Sequence, residues 1–376
     1  MANLFDYLEW RGDLTLGQAP FNDIDSLILS RLSYLPFDHV VPASLQSRIT
    51  IAEASKLFFA SEEASVRAIM KDDIHLLKAV AASDRFRDMN LMGYVNQVDF
   101  EDEKQFSAVV IEMDQDFFYV SFRGTDDTIV GWKEDFNMSF TTPVPAQEEA
   151  VRYLERIGNT LPGRFIVGGH SKGGNLAVYG AAFCPKEVQD RIAAVYNNDG
   201  PGFDAAVLES EGYQNIRHKI KTFIPQSSVV GMLLQHEEEY IVIHSTQIGL
   251  MQHDLYSWEV VRDQFVYLDT ITDSSKFIDR TLKTWIANLD PEQREQFIDG
   301  LFSILEQTNA RTLKELTENW YSNARVILKS FKDMDESMRQ TMSETLSLLF
   351  KCAKQSMSIS IPKPRPFHFG ERKESK

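Results

Sequence analysis

The chain has 376 residues, of which 43% are hydrophobic and 25% charged, with a formal net charge of -16. That balance is ordinary for a globular protein with a large core, and the length allows two or three domains. The acidic excess argues against nucleic acid as a main partner, and only two cysteines, Cys184 and Cys352, leave no disulfide framework to expect.

The first residues lack a basic stretch followed by an apolar one, so no signal peptide is expected. No apolar run reaches the roughly 18 residues that a membrane span needs. Together with the cysteine usage, this predicts a cytoplasmic protein without a transmembrane segment.

Residues 1–20 read as mixed and loop-like. Asn22 then precedes apolar residues at helical spacing (Ile24, Leu27, Ile28, Leu32), a capped amphipathic helix. Residues 48–59 and 61–88 carry similar patterns. The pattern changes near residue 90: 91–99, 106–113 and 117–124 read as strands, the last two joined as a hairpin across Asp114–Asp116. Helices are then predicted at 145–159, 172–183 and 204–210, alternating with strands at 164–169, 192–198, 220–224 and 239–244. Alternation at this spacing predicts a mostly parallel sheet covered by helices. Beyond about residue 270 the period is helical again, with helices near 273–289, 291–307, 311–331 and 336–355. The proline-rich, basic end reads as a disordered tail. The expected organisation is an N-terminal helical region at 1–89, an α/β core at 90–270, a C-terminal helical region at 271–358 and a tail at 359–376.

The strongest chemical signal is Gly169-His170-Ser171-Lys172-Gly173, a G-x-S-x-G motif between a predicted strand and a predicted helix. A serine nucleophile needs this arrangement because a sharp strand-to-helix turn lifts its oxygen above the sheet, and flanking glycines let neighbouring backbones close in. The N–H of Lys172 then points toward a developing oxyanion. The alternative is a glycine-rich turn that holds a phosphate. Phe122-Arg123-Gly124-Thr125 ends another predicted strand, where Thr125 offers a second N–H for the oxyanion. Taken alone, that segment is an ordinary strand-terminating turn.

FRGT with Trp132 and Asp135, followed by GGHSKGGNLA, resembles the class 3 lipases over roughly residues 90–260. NDIDSLILSRLSYLPFD, NNDGPGF and QHDLYSW extend a resemblance over most of the chain to a bacterial family of lipase-like hydrolases classed as a domain of unknown function. The resemblance implies an α/β-hydrolase fold and acyl hydrolysis, with no particular substrate.

In this fold the nucleophile is followed by the acid and then the histidine. His218 precedes a strand at the wrong end of the sheet, His244 lies in a predicted strand, and His368 lies in the tail. His253, in a loop beyond the last recognisable strand, is the first choice for the base, and His236 is the second. The class 3 pattern implies an acid near 228, where this chain has Ser228. Either the protein is not a normal triad enzyme or the acid comes from elsewhere. Asp199, directly after the strand that follows the elbow helix, is the alternative, although Asp-Gly is also common turn chemistry. Asp254 is a poor orienter because adjacent side chains diverge. Lys172 departs from the apolar residue usual after the serine. It either meets an anionic group or snorkels to solvent, the second reading being favoured.

No HExxH, CxxC or nucleotide-binding glycine loop is present, so neither metal nor cofactor is expected. The expected function is a serine hydrolase acting on a small acyl ester, lipids included, with Ser171, His253 and Asp199 as catalytic residues and Lys172 and Thr125 at the oxyanion. Two alternatives stand beside it: a catalytically silent binding protein on a hydrolase fold, and an acyltransferase or peptidase using the same serine. Ester, thioester and amide substrates, and the oligomeric state, are left open.

Overall fold

The computed structural model describes residues 1–61, 70–99, 104–125, 133, 137–138, 142–308, 310 and 320–360. Its centre is a nine-stranded mixed sheet in which every strand but the last follows chain order. At one edge β1 (Ile49–Thr50), β2 (Asn90–Asp99), β3 (Lys104–Asp114) and β4 (Phe117–Phe122) are antiparallel neighbours. From β4 onward β5 (Arg164–His170), β6 (Ile192–Asn198), β7 (Ile220–Pro225) and β8 (Tyr240–Ile243) run parallel. β9 (Val260–Val261) and β10 (Gln264–Phe265) form a separate small ribbon, and β11 (Tyr267–Leu268) closes the sheet antiparallel to β8.

Parallel neighbours taken in chain order place their crossovers on one face, because such crossovers share one hand. The helices α5 (Pro145–Thr160), α6 (Lys172–Phe183), the short α7 (Lys186–Gln189), α8 (Ala205–Leu208) and α9 (Glu211–Ile216) are the crossovers. Leu154, Leu176 and Ile216 from them join Phe118, Val120, Phe165, Val167 and Val195 of the strands in one apolar cluster.

The opposite face would be left wet. It is covered by the N-terminal helices α1 (Leu4–Arg11), α2 (Asp23–Leu32), α3 (Ile51–Ala60) and α4 (Lys71–Ala82). Leu4, Leu27, Phe58 and Leu77 pack with Val109, Ile111, Tyr119, Ile166, Tyr196 and Phe223. The two sets of strand residues alternate along each strand, as the period-2 pleat requires.

The helix α1 corrects the loop-like reading of residues 1–20. Asn3 caps it, with its side chain accepting from the Phe5 N–H while Asp6 returns to the Asn3 N–H. Only eight residues long, it gains its stability from burying Leu4, Tyr7 and Leu8. β1 and β9 to β11 have two residues each, too few for a legible alternation.

After the sheet come α10 (Asp273–Ala287), α11 (Pro291–Glu306), α12 (Trp320–Asp333) and α13 (Glu336–Ser360), with their own small cluster around Phe297, Phe302 and Met342. Residues 359 and 360 of the expected tail end α13, and the rest of it lies outside the described residues. Among the described residues, no helix is long and apolar enough to cross a membrane.

Candidate active site

Ser171 stands between the last residue of β5 and the first of α6, with φ 59° and ψ -136°. A left-handed φ on a non-glycine residue is strained and persists only where its surroundings enforce it. Here the enforcement is the close approach of three backbones. A Cβ on Gly169 would lie 2.2 Å from the carbonyl carbon of Gly173, and one on Gly173 would lie 2.2 Å from the Phe122 oxygen. The two glycines of the motif are therefore steric requirements of the turn.

The Phe122–Thr125 segment meets the elbow directly. A Cβ on Gly124 would come within 3.0 Å of the Ser171 Cβ and 2.5 Å of the His170 oxygen. Thr125 is the next residue, and Lys172 opens α6. Trp132 and Asp135, which share in the class 3 resemblance, lie outside the described residues.

β6 delivers the acid. His170 and Asn198 are register partners across β5 and β6, and the Ser171 N–H bonds to the Asn198 oxygen at 2.9 Å. Asp199 follows, itself at φ 54° and fully buried. Its N–H is held by the Phe223 oxygen on the next strand at 2.8 Å. One carboxylate oxygen, Oδ2, lies 2.7 Å from His253 Nδ1, and the other accepts from the Ser228 hydroxyl at 2.5 Å. A buried carboxylate needs donors on both oxygens, and these two supply them. Ser228, where an acid was expected, thus faces Asp199 and donates to it.

His253 ends a short 3-10 turn, Gly249–His253, after β8. Gln252 pins this turn: its Oε1 accepts from the Ser227 N–H at 2.7 Å and its Nε2 donates to the Gln247 oxygen at 2.7 Å. The Trp258 indole N–H donates to the Gln252 carbonyl at 2.8 Å. Among the described residues, His253 Nε2 and Ser171 Oγ make no hydrogen bond to each other or to a third group. Such contacts are commonly loose without substrate.

The other sequence candidates have different surroundings. The side chain of His236 is buried, with Nδ1 3.0 Å from Glu238 Oε1 and Nε2 2.8 Å from the Gly231 oxygen. His244 pairs with Glu259 at 2.6 Å. His218 lies in a 3-10 turn before β7, away from the C-terminal ends of the strands. His368 lies outside the described residues. Asp254 caps the next turn, accepting from the Tyr256 N–H. Lys172 does not snorkel: only 1% of it is exposed, and Nζ donates to the Gln105 carbonyl at 3.0 Å and to its side-chain oxygen at 3.2 Å. The first residue of α6 packs against β3, so its stem has no route to water.

Two residues escaped the sequence reading. His170, inside the motif itself, places Nε2 2.9 Å from the His253 carbonyl oxygen, with the two rings 4.6 Å apart. Tyr34, just beyond α2, sets its hydroxyl 3.2 Å from His170 Nδ1 and 3.0 Å from the His170 oxygen. A histidine next to the nucleophile was a visible signal for the first. For Tyr34 there was none, because 136 residues separate it from its partner.

A family model described as Mbeg1-like matches residues 80–303. No curated protein matches the chain in sequence. Among solved structures, the chain is similar to the M37 lipase, at 15% identity and a TM-score of 0.34, covering 56% of this chain and 69% of that one. It is similar also to the native Rhizomucor miehei lipase–propeptide complex, at 15% identity, a TM-score of 0.35 and coverage of 58% and 67%. A fungal lipase–inhibitor complex matches at 14% identity and a TM-score of 0.33, over 46% of this chain and 70% of that one. The family model spans more than half of the chain, which therefore belongs to the Mbeg1-like family.

Proposed function

We propose that the protein is a serine hydrolase that cleaves carboxylic esters through an acyl-enzyme. The observation that carries this reading is the 2.7 Å contact between His253 Nδ1 and the buried Asp199, beside a serine at φ 59° in a strand–turn–helix elbow. An acceptor-only carboxylate at Nδ1 keeps the ring proton there and leaves Nε2 as the basic nitrogen.

In the proposed reaction Ser171 Oγ attacks the acyl carbonyl while His253 Nε2 takes the hydroxyl proton. The carbonyl π electrons move to oxygen, and the oxyanion is received by the backbone N–H groups of Lys172 and Thr125. Collapse breaks the ester C–O bond, and His253 returns the proton to the departing alcohol. Water then repeats the sequence in reverse: His253 takes its proton, the hydroxyl bonds to the acyl carbon, and Ser171 leaves as an alcohol. Asp199 orients the ring and stabilises its charged form throughout. An acyl ester, lipids included, is the substrate class that this machinery suits, and pocket shape decides among its members.

The test is covalent labelling by a fluorophosphonate, read by intact mass on wild type and Ser171→Ala. Stoichiometric labelling of wild type that vanishes in the variant is the expected result. A folded wild type that takes no label at neutral pH sinks the reading, and the hydrolase fold as a binding module becomes the better account.

A further inference from the structure

We infer that His170 is a positioning residue for the base, fixing the His253 backbone to the nucleophile elbow, and that Tyr34 of the N-terminal layer braces His170 from the other side. The inference rests on the reading of His253 as the base.

The His253 carbonyl can only accept, so the 2.9 Å contact requires the proton of His170 on Nε2. Nδ1 is then a lone pair, and the single proton of the Tyr34 hydroxyl is shared between it, at 3.2 Å, and the His170 carbonyl oxygen, at 3.0 Å. The opposite tautomer would set two lone pairs against each other at the His253 carbonyl. His170 is the residue before Ser171, so one side chain ties the backbone of the base to the backbone of the nucleophile. Asp199, by contrast, meets the histidine loop at the His253 ring and not at its backbone.

His170 must also stay neutral. A charge on it would stand 4.6 Å from the ring that becomes an imidazolium in the reaction. Burial, the neighbouring His253 and the Arg31 guanidinium hold its pKa well below the usual histidine value. The N-terminal helices supply this environment. Arg31, on α2, lies 3.9 Å over the Tyr34 ring and is held by Asp73 of α4 at 2.5 and 2.9 Å. Asp73 also accepts from the Tyr256 hydroxyl at 2.8 Å, three residues beyond the base. The layer covering one face of the sheet therefore grips the histidine loop at two points, through Tyr34 and His170 and through Asp73 and Tyr256.

Three variants test this. His170→Phe keeps a ring without a donor, His170→Gln keeps an amide donor of similar reach, and Tyr34→Phe keeps the ring under Arg31 and loses only the hydroxyl. Each is checked for folding by circular dichroism, then measured for fluorophosphonate labelling rate and for kcat and KM on a p-nitrophenyl ester. Long-range proton–nitrogen spectra of histidine-labelled protein report the tautomer. A loss of about ten- to a hundredfold in labelling and kcat at constant KM is expected for His170→Phe, because small misplacements of a base are costly. His170→Gln should recover most of it, and Tyr34→Phe should shift the Nδ1 resonance of His170. Folded His170→Phe that labels at the wild-type rate, or a His170 carrying its proton on Nδ1, overturns the inference. Wild type that neither labels nor turns over overturns the serine-hydrolase reading instead, while the nitrogen spectrum still reads the tautomer.

Discussion

Two of the histidine–carboxylate pairs among the described residues, His236 with Glu238 and His253 with Asp199, differ in how they are built. His236 and Glu238 are sealed, with side-chain exposures of 4% and 3%, and both imidazole nitrogens are spent on acceptors. Glu238 further takes the Thr222 hydroxyl at 2.6 Å and the Tyr213 hydroxyl at 2.5 Å. His253 and Asp199 have exposures of 26% and 0%: the acid is as buried as Glu238, yet one edge of the ring reaches the surface. A histidine next to a carboxylate is thus not yet a base. It becomes one when its second nitrogen is left for a proton in transit and a nucleophile stands beside it. The first pair ties a loop together, while in the proposed reaction the second carries the proton.

Removing each histidine in turn separates the two pairs most sharply. His253→Ala should lower kcat/KM for an ester by about 10⁴-fold or more, with little change in thermal midpoint. His236→Ala should do the opposite, leaving Glu238 buried without its partner. Breaking a buried pair costs about 3–5 kcal/mol, readable as a lower urea midpoint, with phosphonate labelling of the folded fraction retained. Loss of labelling in both variants would mean that the division of roles is wrong.

Asp199→Asn should follow, with kcat down by about 10³- to 10⁴-fold, since an amide at that position favours the wrong tautomer of His253. The measurement is single-turnover acylation, which separates chemistry from product release.

The sealed pair also predicts a pH dependence of stability. Burial by itself would raise the Glu238 pKa, but the hydrogen bond and charge of His236, with the hydroxyls of Thr222 and Tyr213, outweigh it and hold the carboxyl down at about 2 from an ordinary 4.5. A depressed carboxylate stabilises the fold above its unfolded value, and that stabilisation is lost as pH falls from about 4.5 toward 2. The shift corresponds to on the order of 3 kcal/mol. Glu238→Gln should flatten the decline in urea-unfolding free energy across this window, and an unchanged slope would show that the pair contributes nothing.

The smallest effect belongs to Ser228→Ala, which removes the donor on Asp199 Oδ1. A buried acceptor left short of one partner costs about 1–3 kcal/mol. The expected outcome is a modest loss of stability and a fall in kcat well below that of Asp199→Asn, measured by thermal melt and steady-state kinetics.

Legibility in the sequence followed the range of the interactions. The strands of the parallel core and the elbow were readable because period-2 alternation and the spacing of Gly169 and Gly173 about Ser171 are local consequences of backbone geometry. The helix α1 was missed because its apolar face is only two turns long and matters only once a sheet lies beneath it. Lys172 was misread because nothing in its neighbours announces that β3 runs across the first turn of α6.

The sequence by itself determined the α/β order, the strained serine and a short list of histidines and acids, since each depends on residues a few positions apart. Which histidine meets which carboxylate was a tertiary decision. Asp199 and His253 are 54 residues apart, and Ser228 reaches Asp199 across 29. Their meeting depends on strand order, on the register that sets Asn198 beside His170, and on an N-terminal layer that closes over the same face. No local pattern encodes those distances, because they arise only when the sheet assembles and brings the C-terminal ends of β5, β6 and β7 to one edge.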